Sequence, residues 1–208
     1  MATPLEEIDL VRANPQPGTE RQAVIHLGDR ILTLDRSEAG DEGGTLRRIE
    51  DGQLTDPEWY PDRTEALEAA NLHGVDSEMA AMLGRQTEGW YRRDIGMLTS
   101  ILTEDAEIHA DPQWPEQSVY RGREAIRQWY EDFFAVMGFG RHVVVEARRS
   151  GDVGILHSRQ EVAGAASGVP LINEFSNLLH LRGGLTRRIQ FFLDREDAEK
   201  AFAEAVAG

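Results

Sequence analysis

Residues 92–134 read RRDIGMLTSILTEDAEIHADPQWPEQSVYRGREAIRQWYEDFF, and the fold follows from the pattern in this run. Asp94 can cap a short helix with apolar residues at helical spacing. The stretch AEIHAD at 106–111 reads as a strand that Pro112 ends. Gly122 then precedes a strongly amphipathic helix. The run therefore predicts a helix, a strand and a second helix in succession.

The flanking segments extend this order in both directions. Upstream, apolar residues recur at helical spacing from Met79 to Trp90, which predicts a helix there. Downstream, the sequence predicts strands at 142–148, 153–163, 170–181 and 185–193, and a short alanine-rich helix from Asp194. Two helices, a strand, a helix and four strands are typical of an α+β fold with an antiparallel sheet.

The end of the chain occurs twice in the sequence. Residues 46–70 (LRRIEDGQLTDPEWYPDRTEALEAA) align without a gap with residues 178–202 (LLHLRGGLTRRIQFFLDREDAEKAF), so that Asp62 meets Asp194. Only the second copy is preceded by the helices and the first strand. The sequence thus predicts three parts: a loose arm at 1–18, a partial repeat at 19–75 and a complete unit at 76–208. Any active site is expected in the complete unit.

The composition limits the possible partners. The 208 residues carry a formal net charge of −15 and include no cysteine. An acidic chain without a basic patch is a poor ligand for nucleic acid or an anionic membrane surface. The start of the chain lacks the features of a signal peptide and no apolar run approaches a membrane span, so we expect a cytoplasmic protein. The six histidines show no metal-ligand spacing and no nucleotide-binding motif is present, so we expect neither metal nor cofactor.

Three stretches resemble one family of proteins. RRDIGMLTSILTEDAEIHADP (92–112), VYRGREAIRQWYEDFF (119–134) and the closing LDREDAEKAF (193–202) resemble the SnoaL-like branch of the nuclear-transport-factor-2-like superfamily, over about 77–202. Ketosteroid isomerases, polyketide cyclases, limonene-type epoxide hydrolases and scytalone dehydratases belong to it. The resemblance implies a cone-shaped curved antiparallel sheet wrapped around N-terminal helices, with a small-molecule pocket in its mouth. It implies no single reaction, because one fold hosts many chemistries.

The same resemblance gives the partial repeat a meaning. Residues 19–75 correspond to the sheet half of such a domain, and half a sheet cannot bury its apolar face alone. Members of the superfamily often dimerise through the outer face of the sheet. We expect the partial repeat to pack on that face as an intrachain pseudo-dimer, or the chain to form a homodimer. A decayed, loosely docked fusion is the alternative.

The first candidate site lies at the end of the strand at 106–111. In ketosteroid isomerases an Asp-Pro at this place supplies the general base, so the resemblance implies that role for Asp111, with His109 as a second acid or base. A carboxylate in an apolar mouth gains basicity. Trp90, Trp114 and Tyr120 would form apolar walls. A solvated aspartate that merely ends a strand is the alternative.

Two amides stand where the isomerases carry their oxyanion donors, a tyrosine and a protonated aspartate. They are Gln86, which interrupts an apolar helix stripe, and Asn177. Both can donate a hydrogen bond to a substrate oxygen, more weakly than the donors of the isomerases do.

The second candidate site is the alternating series His157, Arg159 and Glu161, which shares one face of a strand. Arg159-x-Glu161 resembles the Arg-x-Asp of limonene-type epoxide hydrolases, in which carboxylates activate water. The same pattern recurs at Arg36 and Glu38 in the partial repeat, where no pocket is expected. That recurrence favours a structural ion pair.

The leading prediction is a cofactor-independent enzyme that acts by proton transfer on an apolar, oxygenated small molecule, as an isomerase, cyclase or dehydratase. Epoxide hydrolysis is the enzymatic alternative, and a non-catalytic ligand-binding or assembly module is the other. The direction of the strand at 153–163 separates them, because hydrolysis needs its odd-numbered charged side chains inside the cone. A cavity without any inward carboxylate argues against both enzymatic predictions.

Overall fold

Two sheets form the frame of the molecule. The computed structural model describes residues 9, 11, 17–50, 53–114, 119–137, 140–164 and 166–208. The N-terminal sheet contains β1 (Thr19–His26), β2 (Arg30–Ser37), β3 (Glu42–Glu50), β4 (Gln53–Leu54) and β5 (Glu58–Tyr60), and helix α1 (Arg63–Ala69) follows it. Its order is β1-β2-β3-β4, with β5 also paired to β3.

The second sheet is larger and contains the remaining strands. They are β6 (Leu72–His73), β7 (Leu102–His109), β8 (Val119–Arg121), β9 (Arg141–Ser150), β10 (Val153–Ala163), β11 (Pro170–Arg182) and β12 (Leu185–Phe192), in the order β6-β9-β10-β11-β12-β7-β8. The pairs β6–β9 and β12–β7 are parallel and the other neighbours are antiparallel. The helices are α2 (Ser77–Arg92), α3 (Ile95–Ser100), α4 (Arg123–Val136) and α5 (Arg195–Ala207). The predicted α+β fold with a curved, mainly antiparallel sheet is confirmed.

The element bounds follow the sequence signals closely in most places. Strand β10 spans the predicted 153–163, whereas β7 begins at Leu102 and ends at His109, earlier at both ends than the predicted 106–111. Leu102 is drawn into the sheet because it is buried and pairs with Thr186 of β12. Residues 51–52, which join β3 to β4, and most of the arm at 1–18 lie outside the described residues.

Aspartate caps fix the starts of α1, α3 and α5. The side chain of Asp62 accepts hydrogen bonds from the backbone N–H groups of Thr64 and Glu65, and Asp194 accepts the corresponding pair at α5. Asp94 caps α3 in the same manner. Each such cap contributes about 1 kcal/mol by satisfying backbone donors that the helix leaves open.

Helix α2 lies between the two sheets and is buried on opposite sides. Its inner side carries Met82 and Trp90 toward the larger sheet. On its other side the hydroxyl of Tyr91 lies 3.0 Å from His26 Nδ1 of β1, and Tyr91 belongs to one buried apolar cluster with Val24. The N-terminal sheet therefore covers the outer side of α2.

This contact differs from the expected one. We expected the partial repeat to cover the outer face of the larger sheet, but α5 occupies part of that face, where Glu199 bonds His157 of β10. Strands β1–β3 and helix α1 do follow each other in the same order as β9–β11 and α5. Their interpretation as a partial copy stays a prediction.

A glycine allows the close approach of α2 and β1. A Cβ atom at Gly84 would lie 3.0 Å from the carbonyl oxygen of Val24, closer than a side chain normally comes to backbone. We expect Gly84→Val to force the sheet and helix apart and to lower the free energy of unfolding by about 1–3 kcal/mol. Chemical denaturation measures the change, with Arg85→Val on the exposed side of the helix as the control. Equal midpoints for the two variants would contradict the described contact.

No helix in the described part of the chain combines the length and apolar character needed to cross a bilayer.

Candidate active site

A narrow cavity lies between α2, α4 and the concave face of the larger sheet. It encloses about 830 Å³ of empty space, counting the part that opens to solvent. Eight of its side chains are aromatic, namely Trp90, Trp114, Tyr120, Trp129, Tyr130, Phe133, Phe175 and Phe191. The other lining residues are Met82, Gln86, Ile101, Ile108, Ala110, His142, Gln160, Asn177, Leu179, Thr186 and Ile189. Concave apolar walls with a few polar groups are typical of small-molecule sites.

The five side chains predicted to bind substrate all line this cavity. They are Gln86, Trp90, Trp114, Tyr120 and Asn177. Helix α2 supplies the first two on successive turns of its inner side. The remaining three come from the loop after β7, from β8 and from β11. None of the lining side chains in the described part of the chain is charged at neutral pH.

The most distinctive polar group in the cavity is His142, which the sequence analysis did not single out. It lies near the start of β9, is 2% exposed, and stacks on Trp90 with ring centroids 5.2 Å apart. Neither ring nitrogen has a hydrogen-bond partner among the described residues. Burial lowers the pKa of His142 to about 4, because an imidazolium would lack solvation there. The imidazole is therefore neutral at physiological pH.

Amides accompany the imidazole on the sheet. Gln160 of β10 is the direct cross-strand partner of His142, so both side chains share the concave face. Asn177 lies on β11, is 3% exposed, and its Oδ1 atom has no partner within the described residues. Buried polar atoms usually have a partner, so the ring nitrogens of His142 and Oδ1 of Asn177 are candidate contacts for a bound molecule.

Asp111 is not placed as the prediction required. Ala110 and Trp114 line the cavity, whereas the carboxylate of Asp111 binds backbone. Its Oδ1 accepts from the Gln113 N–H at 2.8 Å and its Oδ2 from the Leu193 N–H at 3.0 Å. Because β7 ends at His109, Asp111 lies in the following turn and joins it to the end of β12. The structure gives this carboxylate a structural role.

We therefore expect Asp111→Asn to act on stability. One amide oxygen can replace only one of the two acceptors, and the amide N–H₂ would face the second backbone donor. The free energy of unfolding should fall by about 1–3 kcal/mol. Thermal unfolding followed by circular dichroism measures this, with the exposed Asp132→Asn on α4 as a control. An unchanged melting temperature would contradict the assignment.

His109 lies outside the cavity lining. Its Nε2 is 2.7 Å from Glu107 Oε2, and Glu107 also pairs with Arg121 of β8. The hydrogen bond from His109 and the charge of Arg121 hold the pKa of Glu107 below its ordinary value. These three residues form a polar cluster on β7 and β8, apart from the cavity.

The series on β10 faces away from the cavity. Gln160 lines the cavity and Leu156 belongs to the core, so the alternate residues His157, Arg159 and Glu161 point to the outer face. Arg159 and Glu161 form an ion pair at 2.9 Å. The structure thus separates this pair from the cavity, as the recurrence of the pattern in the N-terminal segment suggested.

His157 instead fastens helix α5 to the sheet. Its Nδ1 lies 2.8 Å from Ser176 Oγ and its Nε2 lies 2.9 Å from Glu199 Oε1. Burial is the main cause that lowers the pKa of His157, and the bond to Glu199 opposes it. Ser176 is 3% exposed, so this trio offers no accessible nucleophile.

No group of three or more histidine, aspartate or glutamate side chains in the described residues is arranged to hold a metal ion. The polar groups on the cavity wall are a neutral imidazole, carboxamides and hydroxyls. Such a set can accept a proton at His142 and donate hydrogen bonds to a substrate oxygen.

Comparison with known proteins identifies the fold and the family of the chain. An NTF2-like protein of unknown function from Burkholderia pseudomallei superposes with a TM-score of 0.52 at 13% identity, over 62% of this chain and 98% of that chain. A protein from Jannaschia sp. assigned as a SnoaL-like polyketide cyclase gives a TM-score of 0.51 at 16% identity, over 62% and 94%. At these identities the likeness concerns the fold alone.

No curated protein sequence matches the chain significantly. A family model described as the SnoaL-like domain matches residues 83–189, which is just over half of the chain and includes the C-terminal part of α2, all of α4 and most of the cavity wall. This chain belongs to the SnoaL-like domain family.

Proposed function

We propose that the chain is a cofactor-independent enzyme that moves a proton within an apolar, oxygenated small molecule, as in isomerisation or cyclisation, and that His142 accepts the proton. The observation that carries the proposal is the buried, neutral imidazole of His142 on the wall of an aromatic cavity, with no hydrogen-bond partner among the described residues. The family contains cyclases and isomerases on the same fold, which supports the class of reaction.

The reaction requires a carbon acid beside a carbonyl group. An imidazole nitrogen of His142 takes the proton, and the C–H electron pair forms the C=C bond of an enolate. The amides of Gln86 and Asn177 donate hydrogen bonds to the enolate oxygen. The imidazolium then returns the proton to the same carbon or to another carbon of the ligand, so atoms and charge balance.

The strength of this base suits the task. A neutral base and a neutral ligand produce an imidazolium and an enolate, whose opposite charges attract strongly in an apolar cavity. A pKa of about 4 for His142 is comparable to the value of about 4.6 given for the aspartate base of a ketosteroid isomerase. An imidazole can therefore take the place of the carboxylate that Asp111 does not provide.

One observation favours a second candidate, ligand binding without turnover. No carboxylate lines the cavity within the described residues, and the carboxylate of Asp111 accepts hydrogen bonds from two backbone N–H groups. Epoxide hydrolysis has less support, since Arg159 and Glu161 pair on the outer face. The N-terminal sheet fits a role as an intrachain cover of α2, whether or not two chains associate.

A model reaction separates turnover from binding. In D₂O the imidazolium trades the abstracted proton for a solvent deuteron before it reprotonates the enolate of 2-tetralone, so the α-protons are replaced by deuterium, and nuclear magnetic resonance follows the loss of proton signal. We expect the protein to accelerate this exchange above the buffer rate, and tetralin to inhibit it because tetralin fills the same cavity without an acidic C–H. If the protein binds 2-tetralone but does not accelerate its deuterium exchange, the function is ligand binding without turnover.

A further inference from the structure

Helix α4 places a phenol on the wall of the cavity, that of Tyr130. Tyr130 follows Ile126 by one helical turn, and both side chains are buried, so this side of α4 faces inward. Tyr130 is 5% exposed and lines the cavity. Its side chain therefore belongs to the core and to the wall of the site at once.

The ring of Trp90 joins Tyr130 to the imidazole of His142. His142 stacks on Trp90 with ring centroids 5.2 Å apart and an angle of 5° between the rings. Tyr130 meets the same ring edge-on, with centroids 5.7 Å apart and an angle of 78°. Gln86 lies one turn before Trp90 on the inner side of α2. The base, the phenol and an amide donor are thus grouped around a single indole.

The hydroxyl of Tyr130 is open to a ligand. No described residue forms a hydrogen bond with it, in contrast to the hydroxyl of Tyr91, which lies 3.0 Å from His26 Nδ1. It is also not one of the fully enclosed polar atoms without a partner, which include both ring nitrogens of His142. An unbonded atom that is not fully enclosed borders open space, and the open space beside Tyr130 is the cavity.

The phenol of Tyr130 keeps its proton near neutral pH. Burial raises the pKa of Tyr130, because a phenolate would lose its hydration in this apolar wall. The group is therefore a hydrogen-bond donor and does not compete with His142 as a base. Hydrogen bonds from O–H groups to an oxyanion are short, about 2.5–2.7 Å, and roughly twice as strong as bonds between neutral groups.

We propose that Tyr130 is the main hydrogen-bond donor to the carbonyl oxygen of the substrate, which therefore faces α4. The inference rests on the proposed function and adds a catalytic residue to it. When His142 takes the α-proton, the C–H electron pair forms the C=C bond and the carbonyl π pair moves to the oxygen. The O–H group of Tyr130 then holds the oxyanion without transferring its proton, and Gln86 supplies a second donor. The site would select a neutral carbonyl compound over a hydrocarbon of the same shape.

A matched pair of ligands tests the contact. 2-Tetralone carries a carbonyl oxygen, and tetralin is the same bicyclic skeleton without it. Their dissociation constants are measured through the fluorescence of the cavity tryptophans, for the full-length protein, for Tyr130→Phe and for Tyr60→Phe, which removes a phenol on β5 outside the cavity lining. We expect Tyr130→Phe to weaken the binding of 2-tetralone by about three- to tenfold and not to weaken that of tetralin. The Tyr60→Phe control should match the natural sequence with both ligands.

The carbonyl band of bound 2-tetralone reports the contact directly. A hydrogen-bond donor lowers the C=O stretching frequency, which infrared spectroscopy measures. The band should move to a higher frequency in Tyr130→Phe and keep its position in Tyr60→Phe. Equal weakening of 2-tetralone and tetralin binding overturns the inference, because Tyr130 then acts through packing alone.

Deuterium exchange at saturating 2-tetralone separates this inference from the proposed function. We expect Tyr130→Phe to slow the exchange by about 10²-fold, the usual cost of losing one donor to an oxyanion. An unchanged rate or an unshifted carbonyl band, in a variant that circular dichroism shows to be folded, overturns the donor and leaves His142 as the base. If the natural sequence does not accelerate exchange but the band shifts as expected, the proposed function fails and the contact with the oxygen stands. Failure of both ligands to bind overturns the two together.

Discussion

Replacing His142 by glutamine is expected to slow the deuterium exchange of 2-tetralone by about 10²–10⁴-fold, the usual contribution of a positioned general base. Glutamine retains a polar side chain of similar length but cannot take a proton near neutral pH. The stacking contact with Trp90 at 5.2 Å is weakened, so some loss of stability accompanies the change. Exchange rates measured per folded molecule, at saturating ketone, separate the loss of proton transfer from the loss of stability.

The matched control is His73→Gln. His73 is an exposed histidine on β6 and does not line the cavity. Its replacement should therefore give the same exchange rate as the natural sequence. If His142→Gln exchanged the α-protons as fast as the control variant, His142 would not be the base. Unchanged 2-tetralone affinity with lost exchange would identify a role in the proton transfer itself.

Removal of residues 1–71 is expected to have the largest effect on stability. The deletion keeps β6 but uncovers the outer side of α2, where Tyr91 is 2% exposed and Ala80 is fully buried. Exposure of each large apolar side chain costs about 1.5–3 kcal/mol. Several such losses approach the whole free energy of unfolding of a domain, which is about 5–15 kcal/mol.

The truncated chain should therefore aggregate, or lose cooperative unfolding. Adding the polar substitution Tyr91→Lys to the truncated chain should recover part of its solubility, since it removes the largest uncovered apolar side chain. Size-exclusion chromatography and thermal unfolding measure both. A monomeric truncated chain that melts within a few degrees of the full chain would show that the N-terminal sheet does not support α2.

The sequence predicted the elements better than it predicted the directions of side chains. The aspartate caps and the limits of β10 follow from local rules, because capping and turn residues act over a few positions. The sequence did not show which face of β10 points toward the cavity, because both faces of this strand are covered by other parts of the protein. Leu156 packs in the core and His157 is buried under α5, so hydrophobic alternation gave no signal.

In the candidate site, too, local patterns in the sequence were more informative than contacts between distant segments. Trp90 and Gln86 were found because helical spacing places them on one side of α2. The carboxylate of Asp111 binds backbone rather than lining the cavity, because β7 ends two residues earlier than predicted and small shifts at a strand end redirect a side chain. His142 was missed because a lone histidine gives no motif. Its cross-strand pairing with Gln160 becomes visible only in the sheet.

The pH dependence of the exchange reaction tests the central claim most directly, since it joins the burial of His142, its protonation and the reaction in one curve. With a pKa of about 4, the imidazole stays in its neutral, proton-accepting form throughout the range from about pH 5.5 to about pH 8. The protein-catalysed rate, after subtraction of the buffer rate, should be level across that range. A rate that falls by half near pH 6.5, the ordinary pKa of an exposed histidine, would contradict the account.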